Sequence, residues 1–151
     1  MDDWLRAAGL TADTSGTGRT YVWVDDAGAL AAYFVLAPHL VRRGDVSRKV
    51  GRGSPDIIPA ILIGRLALAE EHQRKGFGEA LLFDAFERSL QGIEIVGGRL
   101  IVVDAIDERA ATFYERYGFV RSPTDDERLV IKASDSARSL GIDWPRTLPA
   151  R

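Results

Sequence analysis

Gln73-Arg74-Lys75-Gly76-Phe77-Gly78 is the stretch on which the fold turns, because of what stands on either side of it. Before it, Ala60 to Leu68 is apolar except at Arg65 and reads as a buried strand. After it, Phe77, Leu81, Leu82, Ala85, Phe86 and Leu90 recur at helical spacing, with Glu79, Asp84, Glu87 and Arg88 between them. The segment is thus a glycine loop joining a strand to a helix that spans Phe77 to Leu90. A helix start leaves its first N–H groups without partners at the positive end of the dipole, which suits a phosphate. Gly76 and Gly78 let the backbone approach a ligand closely, and Arg74 and Lys75 add positive charge. A dinucleotide fingerprint fails because Leu81 stands where its third glycine belongs, and the chain has no Gly-Lys-Ser or Gly-Lys-Thr of a P-loop. Taken alone, the loop is also compatible with a plain turn that binds nothing.

Upstream, Thr20–Val24 and Ala29–Leu36 read as strands joined through the turn residues Asp25-Asp26-Ala27-Gly28, with Pro38 ending the second. His39 to Pro59 reads as a long loop with some helix, and long loops are often functional. Asp2 to Ala8 is expected to form a short helix, followed by a turn-rich loop from Thr11 to Gly18. Downstream, Arg99–Val103 is a second apolar strand, and Asp107 can cap a helix that runs through Tyr117 to a terminating Gly118. Phe119–Arg121 and Arg128–Lys132 read as closing strands. Strands and helices intermix without strict alternation, which predicts a single α/β domain over 1–141 with a mixed sheet and helices on both faces. Residues 142–151 lack any period and read as a tail.

Composition removes several classes. The 151 residues are 46% hydrophobic and 28% charged, enough for one domain with its own core. With no cysteine there is no disulfide framework, thiolate metal site or cysteine nucleophile. The longest apolar run, Ile57 to Ile63, is broken by Pro59 and too short for a bilayer, and the start Met1-Asp2-Asp3-Trp4 has no signal-peptide pattern, so the expected compartment is the cytoplasm. The net charge of −2 argues mildly against nucleic acid, but Arg42, Arg43, Arg48, Lys49 and Arg52 against Asp45 make one strongly basic run. That run is either a solvated face or an anchor for a polyphosphate, coenzyme or RNA.

Gln73-x-x-Gly76-x-Gly78 resembles the Q/R-x-x-G-x-G/A signature of the GNAT superfamily, and Ala110-Ala111-Thr112-Phe113-Tyr114-Glu115-Arg116-Tyr117-Gly118-Phe119 is similar to its A-x-x-F-Y-x-x-x-G-F block. The two motifs come in the family's order and separation, and the likeness spans roughly Tyr21 to Lys132. It implies the GNAT acyl-CoA N-acyltransferase fold, a mostly antiparallel twisted sheet, with acetyl-CoA as co-substrate and no metal. By the same resemblance the coenzyme would be held by Leu66, Ala67 and Leu68 and by Gln73, Arg74, Lys75, Gly76, Phe77, Gly78, Glu79 and Ala80. Asp107 stands where many members carry Asn.

Acetyl transfer to an amine needs a polarised thioester, a neutral amine and a proton for the departing thiolate. Tyr114 is the candidate general acid, since a phenol can donate to a thiolate; the competing reading is that it packs. Phe113 and Tyr117 read as core. The strand Ile61–Leu66 lacks the glutamate base that many members carry there, which favours α-amines, partly neutral near pH 7, over lysine side chains. Within the superfamily, Ile58 to Ala67, the aromatic block and the basic run resemble GNAT toxins of toxin–antitoxin pairs. This likeness implies an aminoacyl-tRNA acceptor contacted by Arg42, Arg43, Arg48, Lys49 and Arg52, and an antitoxin of ribbon-helix-helix type. A homodimer is compatible with it. Competing readings are a small-molecule or protein N-acetyltransferase and a non-catalytic acetyl-CoA-binding module.

Overall fold

The computed structural model describes residues 15–145. The helix expected at Asp2–Ala8, the first part of the loop expected from Thr11 and the end of the tail, 146–151, lie outside the described residues. The elements in chain order are β1 (Arg19–Val24), β2 (Leu30–Arg42), α1 (Arg48–Gly51), β3 (Ile57–Leu68), α2 (Phe77–Val96), β4 (Leu100–Asp104), α3 (Glu108–Arg116), β5 (Val120–Arg121), β6 (Arg128–Lys132) and α4 (Ala133–Ser139). The six strands form one sheet in the order β1-β2-β3-β4-β6-β5. Every pairing is antiparallel except β3 with β4, the pair bridged by α2.

The apolar residues of each strand divide between the two faces as their alternation dictates. Ile63, Ile101 and Val103 lie on one face beneath α2, α3 and α4, in a core that includes Leu82, Phe86, Leu90, Tyr114 and Phe119. Ile58, Ala60, Leu100, Val102 and Val130 lie on the other face, where Val50 of α1 and Val46 pack against them. Helices therefore cover both faces, unequally.

Several local expectations need correction. Pro38 does not end β2, which continues to Arg42 opposite Ile57. β1 accompanies β2 only as far as Leu36, so beyond it β2 is an edge, where a proline costs no ladder bond on its outer side. The segment expected to be loop from His39 to Pro59 shrinks accordingly, and what remains holds a 3-10 turn at Arg43–Asp45 and α1, whose N-cap Ser47 accepts from Val50 N. α2 runs to Val96 rather than Leu90, because Ile93 carries its buried stripe one turn further before Gly97, at φ 93, closes it. α4 was not foreseen: its inner face is the small set Ala133, Ser136 and Ala137, too weakly apolar to register as a period. Ile142 and Trp144, read as tail, pack against the main core.

Candidate active site

β3 makes the site by changing neighbours along its length. Its first half is paired on both sides, with β2 throughout and with β4 from Ala60↔Leu100 to Ile63↔Val103. At Gly64 the β2–β3 register shifts by a bulge, and from there to Leu68 the strand keeps β2 but has no β4 partner. A bulge bends the strand that carries it, and here it turns β3 out of the ladder. Ala69 N donates to Ala31 O on β2 at 2.8 Å. Strand alternation therefore turns the N–H groups of Leu66 and Leu68 the other way, into the opening between β3 and β4. The Leu68 carbonyl on that side accepts from Gln73 Nε2 at 3.0 Å, so the Gln73 side chain ties the loop to the strand end.

The loop itself holds an unusual backbone. Arg74 has φ 63 and Gly76 φ 81, so two residues out of three are left-handed just before α2. A non-glycine residue held at positive φ stores strain, and such strain clusters at binding sites. Gly76 is the N-cap of α2 and brings no side chain to its first turn, which leaves those N–H groups open. A Cβ on Gly76 would meet nothing within 4 Å, so the space in front of the helix is clear. The arrangement is a concave set of backbone donors with Arg74 and Lys75 exposed beside it, and it can hold a diphosphate. His72, which sequence reasoning passed over, lies beside it. Its Nε2 is buried without a partner among the described residues, and its ring lines a cavity of about 270 Å³ with Trp23 and Phe77.

Tyr114 lies on α3, in the core cluster on the sheet face that α2 also covers. Asp107 caps that helix as expected, accepting from Ala110 N at 2.8 Å, and Gly118 leaves it at φ 99. The Tyr114 ring lies between Phe113 and Phe119, each 5.4 Å away centre to centre, and the residue is 8% exposed. Its hydroxyl has no hydrogen-bond partner among the described residues, and it is not one of the fully buried unpartnered atoms, so the oxygen meets solvent space at the end of a packed ring. Burial pushes its pKa up to about 12. Set against a thiol near 8.5, complete transfer of that proton to a free thiolate would be uphill by roughly 5 kcal/mol. A phenol here can serve a leaving sulfur only while the carbon–sulfur bond is still breaking.

The basic run sits elsewhere. Arg42 pairs with Ile57, at the opposite end of β3 from Leu68, roughly 36 Å away along the strand. Arg42, Arg48, Lys49 and Arg52 are exposed there, and Arg48 and Arg52 line a cavity of about 440 Å³ with Ser47 and three glycines. Arg43 differs from them. It donates to Ser54 O at 2.8 Å and pairs with Asp56 at 2.6 Å, which pins the loop. Asp45, the single acid of the run, accepts from Thr124 Oγ1 at 2.9 Å, and its carbonyl accepts from Ser122.

Residues 17–121 match the acetyltransferase (GNAT) domain family. The chain belongs to that family. It is an acetyl-CoA-dependent N-acetyltransferase, and the sheet described above is the GNAT fold. A tRNA-acetylating toxin of Mycobacterium tuberculosis is 35% identical over 141 residues, spanning 93% of this chain and 84% of that relative. Among solved structures, a tyrosine-to-phenylalanine variant of KacT superposes with TM-score 0.83 at 23% identity, over 91% of this chain and 84% of that one. AtaT complexed with acetyl-methionyl-tRNAfMet gives 0.82 at 22%, over 93% and 85%. A variant of AtaT bound to acetyl-CoA and the C-terminus of the antitoxin AtaR gives 0.77 at 20%, over 92% and 82%. At these identities the structural likenesses establish the shared fold.

Proposed function

We propose that this GNAT domain acetylates the α-amino group of aminoacyl-tRNA and so acts as a translation-blocking toxin. The observation that carries the reading is the division of labour along β3: a diphosphate cradle and free strand N–H groups at one end, and an exposed basic loop at the other end. An acceptor that is itself a polyanion makes use of positive charge so far from the coenzyme's phosphates. The relative from M. tuberculosis supports the same acceptor.

Acetyl-CoA supplies an activated acetyl group when bound. Gly76, Phe77, Gly78, Glu79 and Ala80 at the start of α2 would hold its diphosphate through main-chain N–H groups, assisted by Arg74 and Lys75. Leu66 and Leu68 offer their N–H groups to the pantetheine arm and the thioester oxygen, where preorganised donors stabilise developing negative charge. Gln73 and Ala67 hold this backbone in place. Tyr114 protonates the departing sulfur as its bond breaks. Arg42, Arg48, Lys49 and Arg52 contact the RNA backbone. Single-domain organisation, a cytoplasmic setting and a cognate antitoxin of ribbon-helix-helix type complete the reading; a homodimer is compatible with it.

Mass spectrometry of charged total tRNA after incubation with acetyl-CoA is the test. The expected product carries one acetyl group, 42 Da, on the esterified amino acid, a mass change fixed by the chemistry and on the order of 40 Da. Charged tRNA left unmodified, while a polyamine or a peptide amine is acetylated, would replace this acceptor with a small amine.

A further inference from the structure

Three charged or polar side chains from three different strands meet where β4 ends at Asp104. Arg128 of β6 donates from Nε to one oxygen of Asp104 at 2.9 Å and from Nη2 to the other at 2.9 Å. Its Nη1 lies 2.9 Å from Nε2 of His39 on β2. A guanidinium nitrogen only donates, so His39 Nε2 accepts, which places the imidazole proton on Nδ1. Burial, followed by the Arg128 charge, lowers the His39 pKa and keeps the ring neutral, with Asp104 acting weakly the other way. Asp45 and Asp125 also act on Arg128 through space.

The place of Asp104 is what gives the cluster a use. The β3–β4 ladder ends at Ile63↔Val103, so one more rung would set Asp104 opposite Gly64. Gly64 is where β3 bulges away, and Asp104 therefore edges the opening at its narrow end. Alternation sets it on the face of Leu100 and Val102, while Ile101 and Val103 share the other face with Tyr114. Asp104 and Tyr114 thus lie on opposite faces of the sheet. Arg128 fixes the carboxylate in plane and consumes one lone pair on each oxygen, which leaves acceptor capacity on both. The Asp104 side chain is 47% exposed, so that capacity is reachable.

We propose that Asp104, held by Arg128 and His39, receives the acceptor amine and takes its proton. As the nitrogen–carbon bond forms, the nitrogen sheds a proton to Asp104. As the carbon–sulfur bond breaks, the sulfur takes the proton of Tyr114. Asp104 then releases its proton to water and Tyr114 regains one from water, so the net change is one proton moved from nitrogen to sulfur. Arg128 and His39 are positioning residues. The inference rests on the amine acetylation proposed above and supplies the base that the strand Ile61–Leu66 lacks.

The test uses the full chain with acetyl-CoA and three acceptors: charged total tRNA, phenylalanine methyl ester and spermidine. Asp104→Asn is expected to lower kcat/KM about 10²-fold at pH 7, within the range for removing a general base. Acetyl-CoA affinity by calorimetry should stay within about twofold, since no coenzyme contact is lost. The deficit should narrow between pH 7 and 9, where neutral amine and hydroxide become more plentiful, and Asp104→Glu should recover part of the rate. A purely structural Asp104 would instead give a loss independent of pH that Asp104→Ser shares, with weakened coenzyme binding. An unchanged rate in Asp104→Asn on whichever acceptor the wild type uses would overturn the proposal and leave the acceptor assignment standing. A normal Asp104 effect on spermidine with charged tRNA untouched would keep the proposal and overturn the acceptor. A wild type inactive on all three would overturn both.

Discussion

The two halves of β3 belong to one continuous strand and have opposite fates. Ala60–Ile63 is clamped between β2 and β4, and its donors are consumed by the sheet. Gly64–Leu68, which carries Arg65 beside Leu66, Ala67 and Leu68, keeps β2 alone and presents one row of N–H groups to an opening. The difference teaches that this site is an interrupted ladder: backbone donors become available because a neighbour stops short at Asp104, and no special side chain has to provide them. What surrounds the open half can be perturbed without touching the closed half, and this separates function from stability.

The largest effect is expected at Tyr114, the proposed proton donor. Tyr114→Phe removes one oxygen from a packed ring, so coenzyme affinity and packing should hold while kcat falls about 10²- to 10⁴-fold in steady-state assays. Full activity would return the residue to the core. The same substitution has a signature in stability. The folded protein holds the Tyr114 proton up to about pH 12, whereas an unfolded tyrosine loses it near 10. Between those values the unfolded state binds fewer protons, so wild-type stability falls with rising pH in denaturant titrations, and the Phe variant should lack that component.

Gly76→Val comes next. It puts a β-branched residue at φ 81, which strains the loop by roughly 1–2 kcal/mol and misaligns the donors in front of α2. Acetyl-CoA affinity by calorimetry should weaken at least about 10²-fold in a protein that still melts cooperatively. Unchanged affinity would move the diphosphate away from this loop. The smallest effect is expected at the clamped end. Replacing Arg42, Arg48, Lys49 and Arg52 with Glu should weaken tRNA binding by about tenfold or more at low salt, with a shallower salt dependence, and leave acetyl-CoA binding nearly intact. Arg43 is left out of this set because its bonds to Ser54 and Asp56 make it a support of the loop. Salt-independent binding by the wild type would remove RNA from that surface.

Much of this was legible before the fold was known. The glycine loop, the stripe of α2 from Phe77 to Leu90, the Asp107 cap and the Gly118 stop are local patterns, set within one helix or one turn, and they stand where their residues put them. The length of β2 was not legible, since Pro38 breaks a strand unless the strand has become an edge, and only the end of β1 makes it one. Arg43 looked like its basic neighbours because its pairing with Asp56 depends on how the loop folds back. Asp104, Arg128 and His39 gave no signal at all, being separated by 24 and 89 residues.

The sequence by itself determined most of the elements, the family and the chemistry on offer, because periodicity, caps and short motifs act over a few residues of chain. The tertiary structure alone decided which backbone groups stay unpaired and which distant charges meet. Those outcomes depend on where neighbouring strands end and on the bulge at Gly64, and they are settled only when β3 and β4 are laid side by side.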